Sequence, residues 1–124
     1  MPLGDAFFLG NVRNAQLHLY VIVSRPDPMG CVLCVNFSTA HRGPHDRASV
    51  VKPGEFAYPF IRRLTFVDYS EAKVIDSEII RINLQGRRWT QGDKVPDDLL
   101  RKMQGGAKSS DALPVKFQRF RELM

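Results

Sequence analysis

The chain has 124 residues, the length of one ordinary domain, and its 44% hydrophobic and 25% charged residues are normal globular composition. A domain of this size buries roughly two-thirds of its unfolded surface, so it needs neither disulfides nor a structural metal. The net charge of +5, carried by 12 Arg and 6 Lys against 13 acidic residues, favours a polyanionic partner, nucleic acid first among them.

Taken in chain order, Met1–Gly10 carries no basic segment ahead of an apolar one, and no apolar run approaches a membrane span. The expectation is a soluble, cytoplasmic protein with no membrane partner. Ala6–Leu9 reads as a short first strand. Leu17–Ser24 (LHLYVIVS) and Cys31–Thr39 (CVLCVNFST) read as two longer strands, joined by the Pro/Gly-rich Arg25–Gly30. Period-two alternation puts Leu17, Leu19, Val21 and Val23 on one face and His18, Tyr20, Ile22 and Ser24 on the other. In the second strand it separates Leu33, Val35 and Phe37 from Cys34, Asn36 and Ser38. If the strands pair, His18, Asn36 and Ser38 gather on one surface. That surface is either a solvated outer face or a small kit for proton transfer.

Cys31 and Cys34 have the C-x-x-C spacing of a redox pair or of half a zinc site. Inside a strand the two positions face opposite sides, and no second C-x-x-C is present, so they read as small strand residues and no metal is expected. His41–Arg47 (HRGPHDR) reads as a polar loop. Its H-x-x-x-H-D spacing lacks the helix that would give it geometry, because Gly43-Pro44 forbids one. Such a loop is either plainly solvated or lies over a site, with His41, Arg42 or Asp46 touching substrate.

Ala48–Val51 is a further short strand, Phe56–Ile61 a loop packed on the core, and Leu64–Tyr69 another strand. Ser70-Glu71-Ala72 reads as a turn and Lys73–Ile75 as a strand extension; Ile79–Leu84 fits a strand or a helix start. Beyond Gln85 the pattern becomes helical. Pro96 suits the first turn of a helix carrying Leu99, Leu100 and Met103, with Gly105-Gly106 as its stop, residues 107–112 flexible, and a last helix over Pro114–Leu123. Arg87-Arg88-Trp89 suits contact with phosphate and a stacked base; the alternative is a tryptophan packed on the C-terminal helix. The whole reads as a mainly β (α+β) single domain, 1–124. Residues 1–85 form a small SH3-like β-barrel of about five to seven strands, and residues 86–124 a C-terminal extension with one or two helices.

Val21-Ile22-Val23-Ser24, the strand end Cys34-Val35-Asn36-Phe37-Ser38-Thr39, and the later Pro53-Gly54-Glu55, Pro59-Phe60-Ile61 and Tyr69-Ser70-Glu71-Ala72 resemble a divergent branch of the MazF/PemK family of toxin ribonucleases. The resemblance covers roughly residues 17–75. It implies an SH3-like barrel, a cytoplasmic homodimer, a cognate antitoxin protein as partner, and cleavage of single-stranded RNA without metal or other cofactor. The chain departs from the family pattern: the N-terminal Gly-x-h-h-x-h strand has no clear counterpart before residue 17, and the family's Arg-Pro falls on His18-Leu19. His18 stands where the family has a catalytic Arg, Asn36 where it has Pro, and Ser38 where it has a catalytic Thr. The resemblance implies His18 and Ser38 as catalytic; the charge that such cleavage develops adds Arg25 as catalytic, and the strand end, the polar loop and the Arg-Arg-Trp cluster add Asn36, Thr39, His41, Arg42, Arg87 and Arg88 as substrate contacts. Within this set, His18 would serve as base or acid, Ser38 as a donor to phosphate oxygen, and Arg25 or Arg42 would neutralise developing charge. The alternative on the same fold is a non-catalytic module that binds gyrase, another protein, or RNA.

Overall fold

Two antiparallel strands, β2 (Leu19–Ile22) and β3 (Cys31–Thr39), form the centre of the sheet and pair Tyr20 with Asn36, Val21 with Val35 and Ile22 with Cys34. The computed structural model describes residues 2–10, 18–39 and 50–124. The turn between the two strands is built around Asp27, whose carboxylate accepts from the backbone N–H groups of Met29 and Cys31, both at 2.9 Å. Gly30 completes it at φ 82, a conformation that only glycine adopts without strain. Ser24 closes the strand end: its hydroxyl accepts from the Leu33 N–H at 2.8 Å and donates to the Arg25 carbonyl at 3.0 Å.

Four more strands join this pair: β1 (Ala6–Phe8), β4 (Val50–Val51), β5 (Thr65–Asp76) and β6 (Thr90–Gly92). The result is a six-stranded antiparallel sheet in the order β4-β5-β3-β2-β1-β6, with β4 and β6 at its edges. Three helical elements pack on it: α1 (Ser77–Gln85), α2 (Asp97–Ser109) and a C-terminal 3-10 helix (Val115–Leu123). No described helix is long and apolar enough to cross a membrane.

The sheet is apolar on both faces. Leu19, Val21, Val23, Leu33, Val35 and Phe37 form the larger core with Leu99 and Met103 of α2 and Phe120 of the 3-10 helix. The reverse face buries Phe7, Tyr20, Ile22, Val32 and Cys34 against Ile80 of α1. The second face of the hairpin is therefore not a simple solvated surface, because Ile22 and Cys34 lie beneath a helix. The two cysteines do point apart, Cys31 toward the larger core and Cys34 into the smaller one.

Several local expectations change. Ser70-Glu71-Ala72 is not a turn: it lies within β5, which continues through it as one strand whose pairing with β3 is interrupted there. Between the pairs Cys34–Lys73 and Asn36–Asp68, β3 advances two residues and β5 advances five, so three extra residues form a bulge. Ile79–Leu84 is helix, started by the Asp76 carboxylate, which accepts from the Glu78 N–H at 2.8 Å.

Gly105-Gly106 does not stop α2, which continues to Ser109. Gly106 instead allows close approach to β5, for a Cβ there would lie 2.0 Å from the Tyr69 hydroxyl oxygen. Residues 107–112 are held rather than loose. Arg121 donates to the carbonyls of Ala107 and Ser110, both at 2.9 Å, which satisfies the end of the helix. Trp89 does not pack on the C-terminal helix but stacks on Phe7 at 5.7 Å and 10°. Residues 86–124 supply an edge strand and the cover of the larger core, so they are integral to the sheet.

Candidate functional site

The β2–β3 register decides which polar side chains meet. One residue beyond the ladder, His18 falls opposite Ser38, on the face that carries Tyr20 and Asn36. His18 is exposed, and its Nδ1 lies 3.1 Å from the Phe37 carbonyl. A carbonyl can only accept, so Nδ1 carries the proton. In a neutral ring Nε2 is then the acceptor nitrogen, the form a general base requires.

Beside this pair runs a second row. Tyr20 pairs with Asn36, and Asn36 pairs on its other side with Asp68 of β5. Across this pair the Asn36 carboxamide favours the ionised form of the Tyr20 hydroxyl. Asn36 is 1% exposed, yet its Oδ1 has no hydrogen-bond partner among the described residues. A buried acceptor left unpaired costs about 1–3 kcal/mol, which a fold retains readily only where the group has a use.

Lys73, brought alongside by the bulge, places its ammonium 6.0 Å from the centre of the Tyr20 ring. Burial is the main reason that the Tyr20 hydroxyl titrates above its ordinary value. Glu71, Cys34 and Asp68 push it further up, and the Asn36 side chain opposes them. Tyr20 therefore stays protonated at neutral pH. The Asp68 carboxylate is partly occupied locally, accepting from the Ser70 N–H at 3.1 Å and from its hydroxyl.

The structure brings His18, Asn36 and Ser38 together, with Thr39 at the exposed end of the same strand. Arg25 is not with them. It follows the opposite end of β2, seven residues from His18, which is roughly 20 Å of extended chain. Its N–H donates to the carbonyl of Leu123, the last residue of the C-terminal 3-10 helix, at 2.8 Å. Arg87 and Arg88 lie in the turn after α1: Arg87 is exposed at φ 58, and Arg88 donates to the Asn83 side chain at 3.0 Å. His41 and Arg42, with His45 and Asp46, lie outside the described residues.

Tyr20, Asp68, Lys73 and Glu71 were not singled out from the sequence as site residues. Alternation already put Tyr20 on the His18 face. The β5 residues depend on a long-range register with a bulge, which no local pattern announces.

No family model matches the chain, and neither a curated protein nor a solved structure matches it.

Proposed function

We propose that the protein is a metal-independent endoribonuclease acting on single-stranded RNA, the toxin half of a toxin–antitoxin pair. The observation that carries this reading is the exposed His18 ring, held through Nδ1 on the Phe37 carbonyl and set opposite the Ser38 hydroxyl. In this mechanism His18 Nε2 takes the proton of the ribose 2′-hydroxyl. The 2′-oxygen bonds to phosphorus, the bond from phosphorus to the 5′-oxygen breaks, and a 2′,3′-cyclic phosphate is left. The departing oxygen takes a proton from Tyr20, while Ser38 and Lys73 donate to the phosphorane oxygens.

The six-stranded antiparallel sheet is read as an opened SH3-like barrel, with the β5 bulge providing the bend. The protein works in the cytoplasm as a homodimer, and an antitoxin protein covers the basic surface of a chain whose net charge is +5.

A non-catalytic interaction module on the same scaffold is the second reading. It is favoured by Arg25 standing at the far end of β2 and by the carboxylates of Asp68 and Glu71 beside Tyr20, which oppose phosphate. Incubation of single-stranded RNA with wild type and His18→Ala, both in excess chelator, separates the two. Cleavage by wild type, lowered on the order of a hundred- to ten-thousandfold in the variant, supports the nuclease. Intact RNA at high protein concentration, or equal cleavage by both proteins, rejects it.

A further inference from the structure

At the same end of the sheet, but on the reverse face from His18, lies an open cleft of about 510 Å³. It falls within the roughly 300–1,000 Å³ typical of small-ligand sites. Its floor is aromatic. Phe60 touches Phe8 at 6.2 Å, Phe37 at 6.0 Å and Tyr58 at 6.2 Å between ring centres, and yet is 44% exposed. A ring clamped by three others and open on its remaining side is a rigid platform that loses little entropy when a flat group settles on it.

The polar rim is complementary to one kind of flat group. Arg62, with Arg63 next to it, is exposed at the cleft, while Gln91 and Asp93 line the β6 side. The Tyr58 hydroxyl donates to the Asp93 carbonyl at 2.6 Å and fixes that wall. A carboxamide and a carboxylate offer a donor and acceptors to the edge of a heterocycle, and the guanidinium offers a fork to an adjoining phosphate. None of these groups belongs to the His18 cluster, although Leu19, which also lines the cleft, is the next residue along the chain.

We propose that this cleft is a base-stacking subsite. One base of a single-stranded nucleic acid lies on Phe60, its edge is read by Gln91 and Asp93, and its phosphate is held by Arg62. This rests on the preceding reading for the identity of the polyanion, but not for its cleavage.

Fluorescence anisotropy with a labelled 2′-O-methyl RNA oligonucleotide tests it, because that probe lacks the 2′-hydroxyl and stays whole. Phe60→Ala weakens binding at least about fivefold, and Phe60→Tyr keeps it. Arg62→Gln, a surface change that leaves the ring cluster untouched, lowers the slope of log affinity against log salt by about 0.7. An oligonucleotide with abasic positions loses the dependence on Phe60. Absence of binding by wild type, equal binding by Phe60→Ala, or undiminished affinity for the abasic probe overturns the proposal. Saturable binding of an acidic peptide without any effect of Phe60 on the oligonucleotide also overturns it, in favour of a protein ligand. Natural RNA that stays intact in the cleavage assay, alongside Phe60-dependent binding, removes the nuclease and supports the subsite.

Discussion

Substitution of the two adjacent glycines of α2 by alanine is expected to move stability in opposite directions. Around Gly105 a Cβ meets nothing within 4 Å, and the position is exposed. Alanine there gains helix propensity alone, so Gly105→Ala stabilises by about 0.5–1 kcal/mol. At Gly106 the same atom would stand 2.0 Å from the Tyr69 hydroxyl oxygen and 2.6 Å from the ring carbon bearing it. Tyr69 cannot step aside cheaply, because it is buried and its hydroxyl donates to the Met103 carbonyl at 2.8 Å. Overpacking of a tight core contact costs about 1–3 kcal/mol, and loss of the hydrogen bond adds roughly 1 kcal/mol. The propensity gain offsets only part of this, so Gly106→Ala destabilises by about 1–3 kcal/mol net. Urea unfolding followed by far-UV circular dichroism measures both variants, with the denaturant slope checked for two-state behaviour. Tyr69→Phe in the Gly106→Ala background removes the closest atom and is less costly than the sum of the two single changes. Two glycine variants shifted equally, or a Gly106→Ala protein as stable as wild type, would refute the packing argument.

Two further outcomes concern titratable groups. The Asp27 carboxyl is held below its usual range by the Cys31 N–H first and by the Arg119 guanidinium, which donates to it at 2.9 Å. A depressed folded value contributes stability that is present above the unfolded pKa of about 3.9 and is lost as pH falls through the lower folded value. Melting temperatures measured from pH 6 down to pH 2 should therefore fall more steeply for wild type than for Asp27→Asn, and parallel curves would contradict the assignment. The Cys34 thiol is fully buried and burial pushes its pKa strongly upward, whereas Cys31 is half-buried. A thiol reagent at pH 8 should label Cys31 slowly in the native protein and Cys34 only after unfolding; labelling of both at equal rates would place Cys34 wrongly.

How far these features can be read from sequence depends on the distance over which they are determined. The central hairpin was legible because two runs rich in β-branched and other apolar residues, Leu19–Val23 and Cys31–Phe37, flank a Pro/Gly-rich connection in which Asp27 and Gly30 mark the turn. The convergence of His18, Asn36 and Ser38 followed from that register alone. Ile79–Leu84 stayed ambiguous because six residues cannot separate the two periods, and the deciding cap, Asp76, belongs to the preceding strand. The glycine pair misled because one of the two serves a contact with Tyr69, 37 positions earlier in the numbering. Asp68 and Lys73 reach the site only through a bulged pairing with β3, a tertiary effect without a local signature. Among the arginines, charge pointed correctly to a basic protein but not to location: Arg119 and Arg121 serve the fold, and Arg62 borders the cleft.

The cover of the larger core has a consequence for biosynthesis. The ribosome delivers the inner strands first, and their broad greasy side stays naked until Leu99, Met103 and finally Phe120 have emerged. A nascent chain halted anywhere before that point carries a sticky sheet with no lid, a natural client for chaperones or proteases.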